Sequence, residues 1–297
     1  MRELSAPILI TGAQGMLGSD LVPRLRQHLP PAELIAVDID GLDITVEDQV
    51  REKVEAIRPA VIINCAAYTD VDGCESERDL AFRVNAHGPE LLARAAAEYR
   101  AQLLHISTDF VFDGSQSTPY TEEDEPYPIS AYGESKLAGE EAVRALAPEH
   151  LIVRTAWLYG RGGRNFVETI LRLAEERDHL SVVTDQTGSP TWTVQLVSAI
   201  EALLAVGARG TYHAVNRGEC TRYEWAGEIL RLAGKERRLL PATTEEFPRP
   251  ARRPAYSALG CEKLTRDTGF RFCPWHRALA DYLQTRQDPG DVLLERA

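Results

Sequence analysis

The stretch of sequence that decides the fold is Ile8-Leu9-Ile10-Thr11-Gly12-Ala13-Gln14-Gly15-Met16-Leu17-Gly18. A short apolar run ends at the first glycine, two more glycines follow at three-residue spacing, and a helical pattern continues over 19–28. In such a loop one glycine allows a tight turn, the next lets the backbone approach a pyrophosphate, and the third allows close helix packing, while the helix N-terminus offers N–H donors. The stretch therefore predicts a strand, a dinucleotide-binding loop and a helix. The predicted loop contacts of the dinucleotide are Gly12, Gln14, Gly15, Met16, Leu17 and Gly18.

Further apolar runs predict strands at 34–38, 61–65, 103–107, 151–155 and 180–184. Their hydrophobicity is nearly continuous rather than alternating, which is typical of parallel strands buried on both faces. Segments with helical periodicity separate them, most clearly 80–99 and 135–146. This alternation predicts an α/β fold, a Rossmann-type doubly wound parallel sheet with right-handed crossovers.

The pattern changes after about residue 185, which predicts a smaller C-terminal substrate-binding region across the end of the sheet. A polar loop covers 185–191, helices are predicted at 194–204 and 221–233, and Thr221 with Glu224 forms a capping-box pattern. We assign residues 1–160 mainly to dinucleotide binding and 161–297 mainly to substrate binding, as two lobes of one compact unit between which the chain crosses.

Charge and cysteine usage exclude several classes of function. The 297 residues carry a net charge of −12, which argues against a nucleic acid or an anionic membrane surface as the main partner. No stretch approaches the roughly 20 apolar residues of a membrane span, and we expect no signal peptide in the short segment 1–7. Five cysteines without CxxC spacing and seven histidines without metal-ligand spacing predict a cytoplasmic protein without a disulfide framework or an identifiable metal site.

The second strand ends at Asp38, 20 residues after Gly18. A carboxylate at this place accepts hydrogen bonds from an adenosine ribose, which favours NADH, and neither Ala13 nor Gln14 is an arginine that would hold a 2′-phosphate. Arg2 or residues near Asp43 and Ile44 can compensate, so the sequence leaves NADH and NADPH open as cofactors.

Candidate catalytic residues follow the fourth strand. In Tyr132-Gly-Glu-Ser-Lys136 the two reactive side chains share one helix face, and an ammonium beside a phenol lowers its pKa and makes it a usable acid. Thr108 ends the strand, where a hydroxyl faces the ligand crevice and can donate to a carbonyl oxygen. Asn85, on the helix after the third strand, either caps locally or holds a water for proton supply beside the cofactor.

Together these segments resemble the extended short-chain dehydrogenase/reductase family and, more narrowly, its dTDP-4-dehydrorhamnose reductases. The resemblance covers essentially the whole chain. It is carried by 12–18, Asn64-Cys-Ala-Ala-Tyr-Thr-Asp-Val-Asp72, Ser107-Thr-Asp-Phe-Val-Phe-Asp-Gly114, 132–140, Arg154-Thr-Ala-Trp-Leu-Tyr-Gly160, Asp185-Gln-Thr-Gly-Ser-Pro-Thr191, and Arg253-Pro254 with Ser257.

The resemblance implies reduction of the C4 ketone of dTDP-6-deoxy-L-lyxo-4-hexulose to dTDP-L-rhamnose. Tyr132 would protonate the new alkoxide, Lys136 would lower the pKa of Tyr132 and bind the nicotinamide ribose, and Thr108 would polarise the ketone. Ala66, Ala67 and Tyr68 would line the cofactor. The implied substrate contacts, besides Thr108, are Val71, Asp109, Trp157, Asn165, Gln186, Arg253 and Ser257. The resemblance also implies a homodimer and, in some members, magnesium at a dimer contact, whose ligands we do not place.

The sequence differs from related families at two positions, and two alternative functions stay open. Phe110 follows Asp109, where sugar-nucleotide 4,6-dehydratases carry a glutamate for water elimination, so a simple reduction is favoured. Ala258 stands where the family often has arginine, so phosphate binding can fall to Arg252 or Arg253. Two other functions stay open: reduction of another nucleotide-4-ketosugar, and a non-catalytic binding role like that of the regulatory subunit of methionine adenosyltransferase.

Overall fold

A computed structural model describes residues 5–287 of the chain. Its strands are β1 Ile8–Thr11, β2 Leu34–Val37, β3 Val61–Asn64, β4 Gln102–Thr108, β5 His150–Thr155, β6 Leu158–Tyr159, β7 His179–Val183, β8 Thr187–Gly188, β9 Thr191–Trp192, β10 Gly210–His213, β11 Cys220–Thr221 and β12 Arg238–Ala242. Its α-helices are α1 Gly18–Leu25, α2 Glu47–Ile57, α3 Gly73–Ser76, α4 Arg78–Phe82, α5 Gly88–Tyr99, α6 Ala131–Leu146, α7 Phe166–Glu176, α8 Thr193–Val206, α9 Arg222–Leu232, α10 Glu262–Thr268 and α11 Trp275–Gln287.

Six parallel strands form the central sheet in the order β10-β5-β4-β3-β1-β2. The strand order reverses between β1 and β3, and in open α/β sheets the crevice at such a reversal binds ligands at the carboxyl ends of the strands. Strands β1 and β3 are buried over their whole length, and apolar clusters cover both faces of the sheet. The predicted doubly wound α/β fold is confirmed.

The sixth strand of the sheet is not the one that the sequence predicted. The run at 180–184 forms β7, which pairs with β12 in a separate two-stranded sheet and alternates between buried and exposed residues. The prediction of burial on both faces is therefore wrong for this strand. The main sheet is completed instead by β10, the short Gly-Thr-Tyr-His segment at its edge, which carries no apolar run to reveal it.

The second lobe is built around its own apolar core, which contains residues of α7, α9 and α11. The chain returns to the first lobe between these helices: α8 packs on α1, and β10 joins the central sheet. The predicted capping box begins α9, since Thr221 accepts from the Glu224 backbone and the Glu224 carboxylate accepts from Thr221. Within residues 5–287, no helix is long and apolar enough to cross a membrane.

Candidate active site

The glycine loop lies directly against the loop that follows β3. A Cβ on Gly12, whose φ is +66°, would stand 2.6 Å from the Ala66 backbone nitrogen, and a Cβ on Gly18 would stand 2.5 Å from the Gly12 carbonyl oxygen. Only glycine fits at these two positions, because the neighbouring atoms are backbone and cannot turn away. The two loops therefore form a tight cradle at the point where the strand order reverses.

This cradle fits a dinucleotide. The backbone N–H groups of Met16 and Leu17, just before α1, have no acceptor among the described residues, so they are available for a phosphate at a helix N-terminus. The Asp38 carboxylate lies beside the loop, where it accepts from the Gln14 N–H at 2.9 Å. Asp43 accepts from Thr45 in the next turn, and Ile44 is buried against Gly88.

Asn85 holds the loop after β3 in place. Its side-chain Oδ1 accepts from the Tyr68 N–H at 2.8 Å, and its Nδ2 donates to the Tyr68 carbonyl and to the Ser135 hydroxyl. The residue lies in a π-helical turn, and the Asn85 carbonyl packs so closely on α6 that Gly139 admits no Cβ there. Of the two roles left open by the sequence, the structure favours local bracing of the segment 66–68.

Thr108 and Tyr132 meet at the carboxyl end of β4. Ser130 caps α6 by accepting from Gly133, which admits no Cβ because the Phe110 carbonyl would stand 2.2 Å away. This close approach brings the first turn of α6, and with it Tyr132, onto the end of β4. The Tyr132 ring packs edge-on against Phe110, with 5.6 Å between ring centroids.

The expected activation of Tyr132 is not found in this structure. Burial raises the pKa of the Tyr132 phenol above its usual value, and the charge of Asp109 adds to this, outweighing the hydroxyl of Thr108. Burial dominates here, so Tyr132 is a neutral phenol, the form that can donate a proton. The lowering of this pKa by Lys136 stays a prediction for the site with its cofactor bound.

Lys136 is buried under β4 rather than directed to a carboxylate. Its Nζ donates to the Ile106 carbonyl at 2.7 Å and lies 3.3 Å from the His105 Nε2. Burial lowers the pKa of Lys136 to about 8, although the charge of Glu140 opposes the change. The side chain is therefore poised to change protonation state near neutral pH.

Asp109 is a buried carboxylate held by two hydroxyl groups. Thr108 donates to its Oδ1 at 3.0 Å and Ser257, from the C-terminal region, donates to its Oδ2 at 2.6 Å. Burial raises the pKa of Asp109 to about 6, although both hydroxyls and the charge of Arg222 favour the carboxylate. Residues of the two lobes thus meet at Asp109, beside Thr108.

Trp157 and Arg222 form the wall opposite this carboxylate. Trp157 has a positive φ of 43°, and its ring lies over Gly188, where a Cβ would stand 2.4 Å from the indole. The Arg222 guanidinium stacks on this ring at 3.5 Å, and burial lowers the pKa of Arg222 to about 9 against the attraction of Asp109. Its guanidinium has no hydrogen-bond acceptor among the described residues, so it is available to an anionic or polar ligand.

Sequence reasoning missed Arg222. The Thr221–Glu224 capping box correctly places Arg222 at the start of α9. No periodic signal, however, shows that the side chain of this first helical residue turns towards Trp157 and Asp109, because those residues come from other segments of the chain.

Several predicted substrate residues have their polar atoms engaged within the protein. Asn165 caps α7 and donates to the Gly160 carbonyl, so its amide serves the helix start. Gln186 donates to Thr244 at 3.0 Å. The guanidinium of Arg253 forms a bidentate ion pair with the Asp72 carboxylate, with both N···O distances at 3.0 Å, and so is engaged rather than free for a phosphate. Val71 precedes this aspartate and lies in the cluster around Tyr132.

The Ala258 departure has a structural counterpart. Ala258 is buried and lines a cavity of about 440 Å³ beside α10, together with Arg217, Arg266 and Arg271. Arginines therefore border the space beside Ala258, although the sequence has none at that position. Arg252 is exposed.

The five cysteines are free thiols. Over the described range 5–287, no group of three or more His, Cys, Asp or Glu side chains could hold a metal ion.

Comparison with known proteins decides the family. Residues 6–287 match the family model described as the RmlD substrate binding domain. The chain belongs to the RmlD family. This RmlD-family chain is 43% identical over 293 residues to the dTDP-4-dehydrorhamnose reductase of Mycobacterium tuberculosis, covering 95% of this chain and 94% of the relative.

Two further similar proteins bear on the substrate and the cofactor, and one of them is named for a different sugar. The chain is 43% identical over 277 residues, 92% of this chain and 93% of the relative, to a probable dTDP-4,6-dihydroxy-2-methyloxan-3-one 4-ketoreductase of Streptomyces antibioticus. A solved dTDP-4-dehydrorhamnose reductase from Bacillus anthracis, in complex with NADP, superposes with a TM-score of 0.89 at 42% identity, covering 95% of this chain and 99% of that one. The resemblance inferred from the motifs is confirmed.

Proposed function

We propose that the protein reduces the C4 ketone of dTDP-6-deoxy-L-lyxo-4-hexulose to dTDP-L-rhamnose with NADPH or NADH. The observation that carries the proposal is the meeting of the Thr108 hydroxyl and the Tyr132 phenol at the same sheet edge as the glycine cradle. A binding protein needs no phenolic acid beside a cofactor loop. The names of the relatives supply the class of substrate, a dTDP-linked 4-ketosugar.

The dinucleotide would lie along the first lobe. The N–H groups of Met16 and Leu17 hold its pyrophosphate, the Asp38 carboxylate accepts from its adenosine ribose, and residues 66–68 flank the nicotinamide half. When bound, the nicotinamide supplies a hydride. The second lobe, without α8, β10 and α10, which pack in the first lobe, would hold the sugar nucleotide, with Arg222 and Trp157 forming the wall against it.

Thr108 and Tyr132 stabilise and protonate the ketone oxygen during the reduction. As a hydride reaches the ketone carbon, negative charge develops on its oxygen, and Thr108 can stabilise this charge once its hydroxyl turns from Asp109 to the substrate. Tyr132 donates its phenolic proton to the oxygen and becomes a phenolate, so that the ketone gains one hydride and one proton and becomes an alcohol. A proton must then return to Tyr132 before the next turnover.

A coupled assay tests the proposal. dTDP-glucose is converted by the upstream dehydratase and epimerase, this protein is added with NADPH or NADH, and loss of reduced nicotinamide and formation of dTDP-L-rhamnose are followed. Tyr99→Phe, which removes the hydroxyl of a half-buried tyrosine at the end of α5, serves as the matched control for Tyr132→Phe. Tight binding of dTDP-sugar without oxidation of either cofactor would refute the reductase and favour the binding role.

The second candidate substrate is another dTDP-4-ketosugar. The relative from Streptomyces niveus, named dTDP-4-keto-6-deoxy-D-glucose reductase for the ketosugar that the epimerase has not yet changed, is 44% identical, and the Mycobacterium tuberculosis reductase is 43% identical. Parallel reactions with the ketosugar taken before and after the epimerase separate the two substrates. Faster turnover of the sugar that has not been epimerised would overturn the rhamnose assignment while keeping the reductase.

Cytoplasmic location, a homodimer and a bound magnesium ion stay predictions from the resemblance. Light scattering of the purified protein, with and without magnesium and with a chelator, tests the last two together. A mass equal to one chain under all three conditions would contradict both.

A further inference from the structure

A row of buried polar side chains crosses the sheet behind Lys136. Thr11, Asn64 and His105 are in-register neighbours on β1, β3 and β4, and each is at most 1% exposed. The Thr11 hydroxyl donates to the Asn64 Oδ1 at 2.7 Å, the Asn64 Nδ2 lies 3.0 Å from the His105 Nδ1, and the His105 Nε2 lies 3.3 Å from the Lys136 Nζ. The proposed reaction assigns no role to His105 or to Asn64.

The orientation of the Asn64 amide is determined by the backbone. The N–H of Ala66 can only donate, and it lies 3.1 Å from one amide atom of Asn64, which must therefore be the oxygen. The other amide atom is then the nitrogen, which donates to the His105 ring. Since an amide nitrogen has no lone pair to offer, the His105 Nδ1 must be the acceptor and carries no proton.

The Nε2 of His105 then carries the ring proton. Burial holds the pKa of His105 well below its usual value, and the charge of Lys136 lowers it further, so the ring is neutral near neutral pH. A neutral ring with an unprotonated Nδ1 has its single N–H at Nε2. That N–H points at the Lys136 amine, which is an acceptor only after it has lost a proton.

The Ile106 carbonyl accepts from the Lys136 Nζ at 2.7 Å, but no charged group among the described residues offsets the His105 donor. Glu140, on the same helix, attracts the ammonium but is shared with Arg154 and Arg144. Cys65, from the loop after β3, is an uncharged thiol near neutral pH, since burial raises its pKa to about 12. Within residues 5–287, no carboxylate lies within ion-pair distance of Lys136.

We propose that His105 is a positioning residue that faces Lys136 with an N–H donor, and so makes the Lys136 ammonium the acid that restores the Tyr132 phenol during turnover. Tyr132 loses its phenolic proton to the new alcohol; the Lys136 ammonium loses one proton and the phenolate gains it; the Lys136 amine then takes a proton from water. Lys136 also lies one helical turn from Tyr132. The catalytic part of this inference rests on the proposed function, whereas the His105–Lys136 pair does not.

Nitrogen NMR on the full chain tests the pair without any substrate. In ¹⁵N-histidine-labelled protein, one of seven histidines should keep a neutral, Nε2-protonated ring through neutral pH and should disappear in His105→Leu. Asn64→Asp replaces the amide donor by an acceptor and should move the proton of His105 to Nδ1. A wild-type His105 protonated at Nδ1, or at both nitrogens, would overturn the inference.

Lysine titration measures the effect on Lys136. The chain has four lysines, at 53, 136, 235 and 263, so ¹³C-lysine spectra resolve them, with Lys136→Met for assignment. The Lys136 midpoint should rise by about one pH unit in His105→Leu and in Asn64→Asp, because each change removes the opposing N–H. His213→Leu, which removes another buried histidine, should leave it unchanged. An unchanged midpoint in both test variants would refute the inference.

Activity separates this inference from the proposed function. In the reduction, the alkaline limb of the kcat profile should move up by about one pH unit in His105→Leu, with KM for the ketosugar little changed. A structural loss would lower kcat at every pH. If His105→Leu does not fold, Asn64→Asp and the wild-type tautomer provide the same test. Absence of any reductase activity would refute the proposed function, while the NMR results would still decide the His105–Lys136 pair.

Discussion

Replacing Asp109 by asparagine should stabilise the fold at neutral pH. The side chain is 2% exposed, and burial raises its pKa from 3.8 to about 6. At about 1.4 kcal/mol per pKa unit, ionising Asp109 in the folded protein costs about 3 kcal/mol more than in the unfolded chain. The amide of Asp109→Asn carries no charge and avoids this cost. One imperfect hydrogen bond to Thr108 or Ser257 offsets about 1 kcal/mol, leaving a net gain of about 2 kcal/mol.

The sign of the pH dependence follows from the raised pKa. The stability that protonated Asp109 contributes is fully present below pH about 4, the unfolded pKa, and is lost as the pH rises through about 6. The free energy of unfolding of Asp109→Asn should therefore exceed that of the parent protein by under about 1 kcal/mol near pH 5 and by about 2 kcal/mol near pH 7.5.

Urea unfolding at both pH values measures this difference, with Asp40→Asn as the control, because Asp40 is exposed. The control should stay within about 0.5 kcal/mol of the parent protein. A destabilised Asp109→Asn at neutral pH, or a difference that does not change with pH, would refute the reasoning.

Three other substitutions probe separate parts of the site. Tyr132→Phe should lower kcat by about 10²–10⁴ with little change in cofactor affinity, because a general acid is lost; near-normal turnover would remove Tyr132 as the acid. Asp38→Ala should weaken NADH binding, measured by fluorescence titration, more than NADPH binding, since the carboxylate accepts from the free ribose; equal losses would place Asp38 away from the ribose. Arg222→Met should raise KM for the sugar nucleotide by about 10-fold or more, as expected for a charge-assisted hydrogen bond, and leave the cofactor Kd unchanged. An unchanged KM would remove Arg222 from the substrate site.

The local signals in the sequence predict the first lobe well, for identifiable reasons. The glycine spacing at 12–18 reflects backbone contacts that exclude a Cβ, and buried parallel strands such as β1 and β3 need continuous apolar runs. The capping box at Thr221 and Glu224 is likewise a short-range pattern. The edge strand β10 was missed, because four residues with a glycine and a histidine carry no such run.

Properties that depend on distant segments could not be predicted. The ion pair between Asp72 and Arg253 joins residues 181 positions apart, so the sequence around Arg253 does not indicate that its guanidinium is engaged. The pKa of Tyr132 depends on burial against Phe110 and on the charge of Asp109, not on its spacing from Lys136 alone. The contacts of Asn85 with Tyr68 and Ser135, which favour bracing over water binding, likewise join separate segments of the chain.

Deuterium transfer tests the central claim, reduction of a dTDP-4-ketosugar at this site, most directly. The protein is given the ketosugar with nicotinamide cofactor deuterated at C4 of the ring, and the product is examined by NMR and mass spectrometry. We expect dTDP-L-rhamnose with one deuterium at sugar C4, formed far more slowly by Tyr132→Phe than by Tyr99→Phe. A product without deuterium at C4, or no product while the nucleotide sugar and cofactor are both bound, would contradict the account.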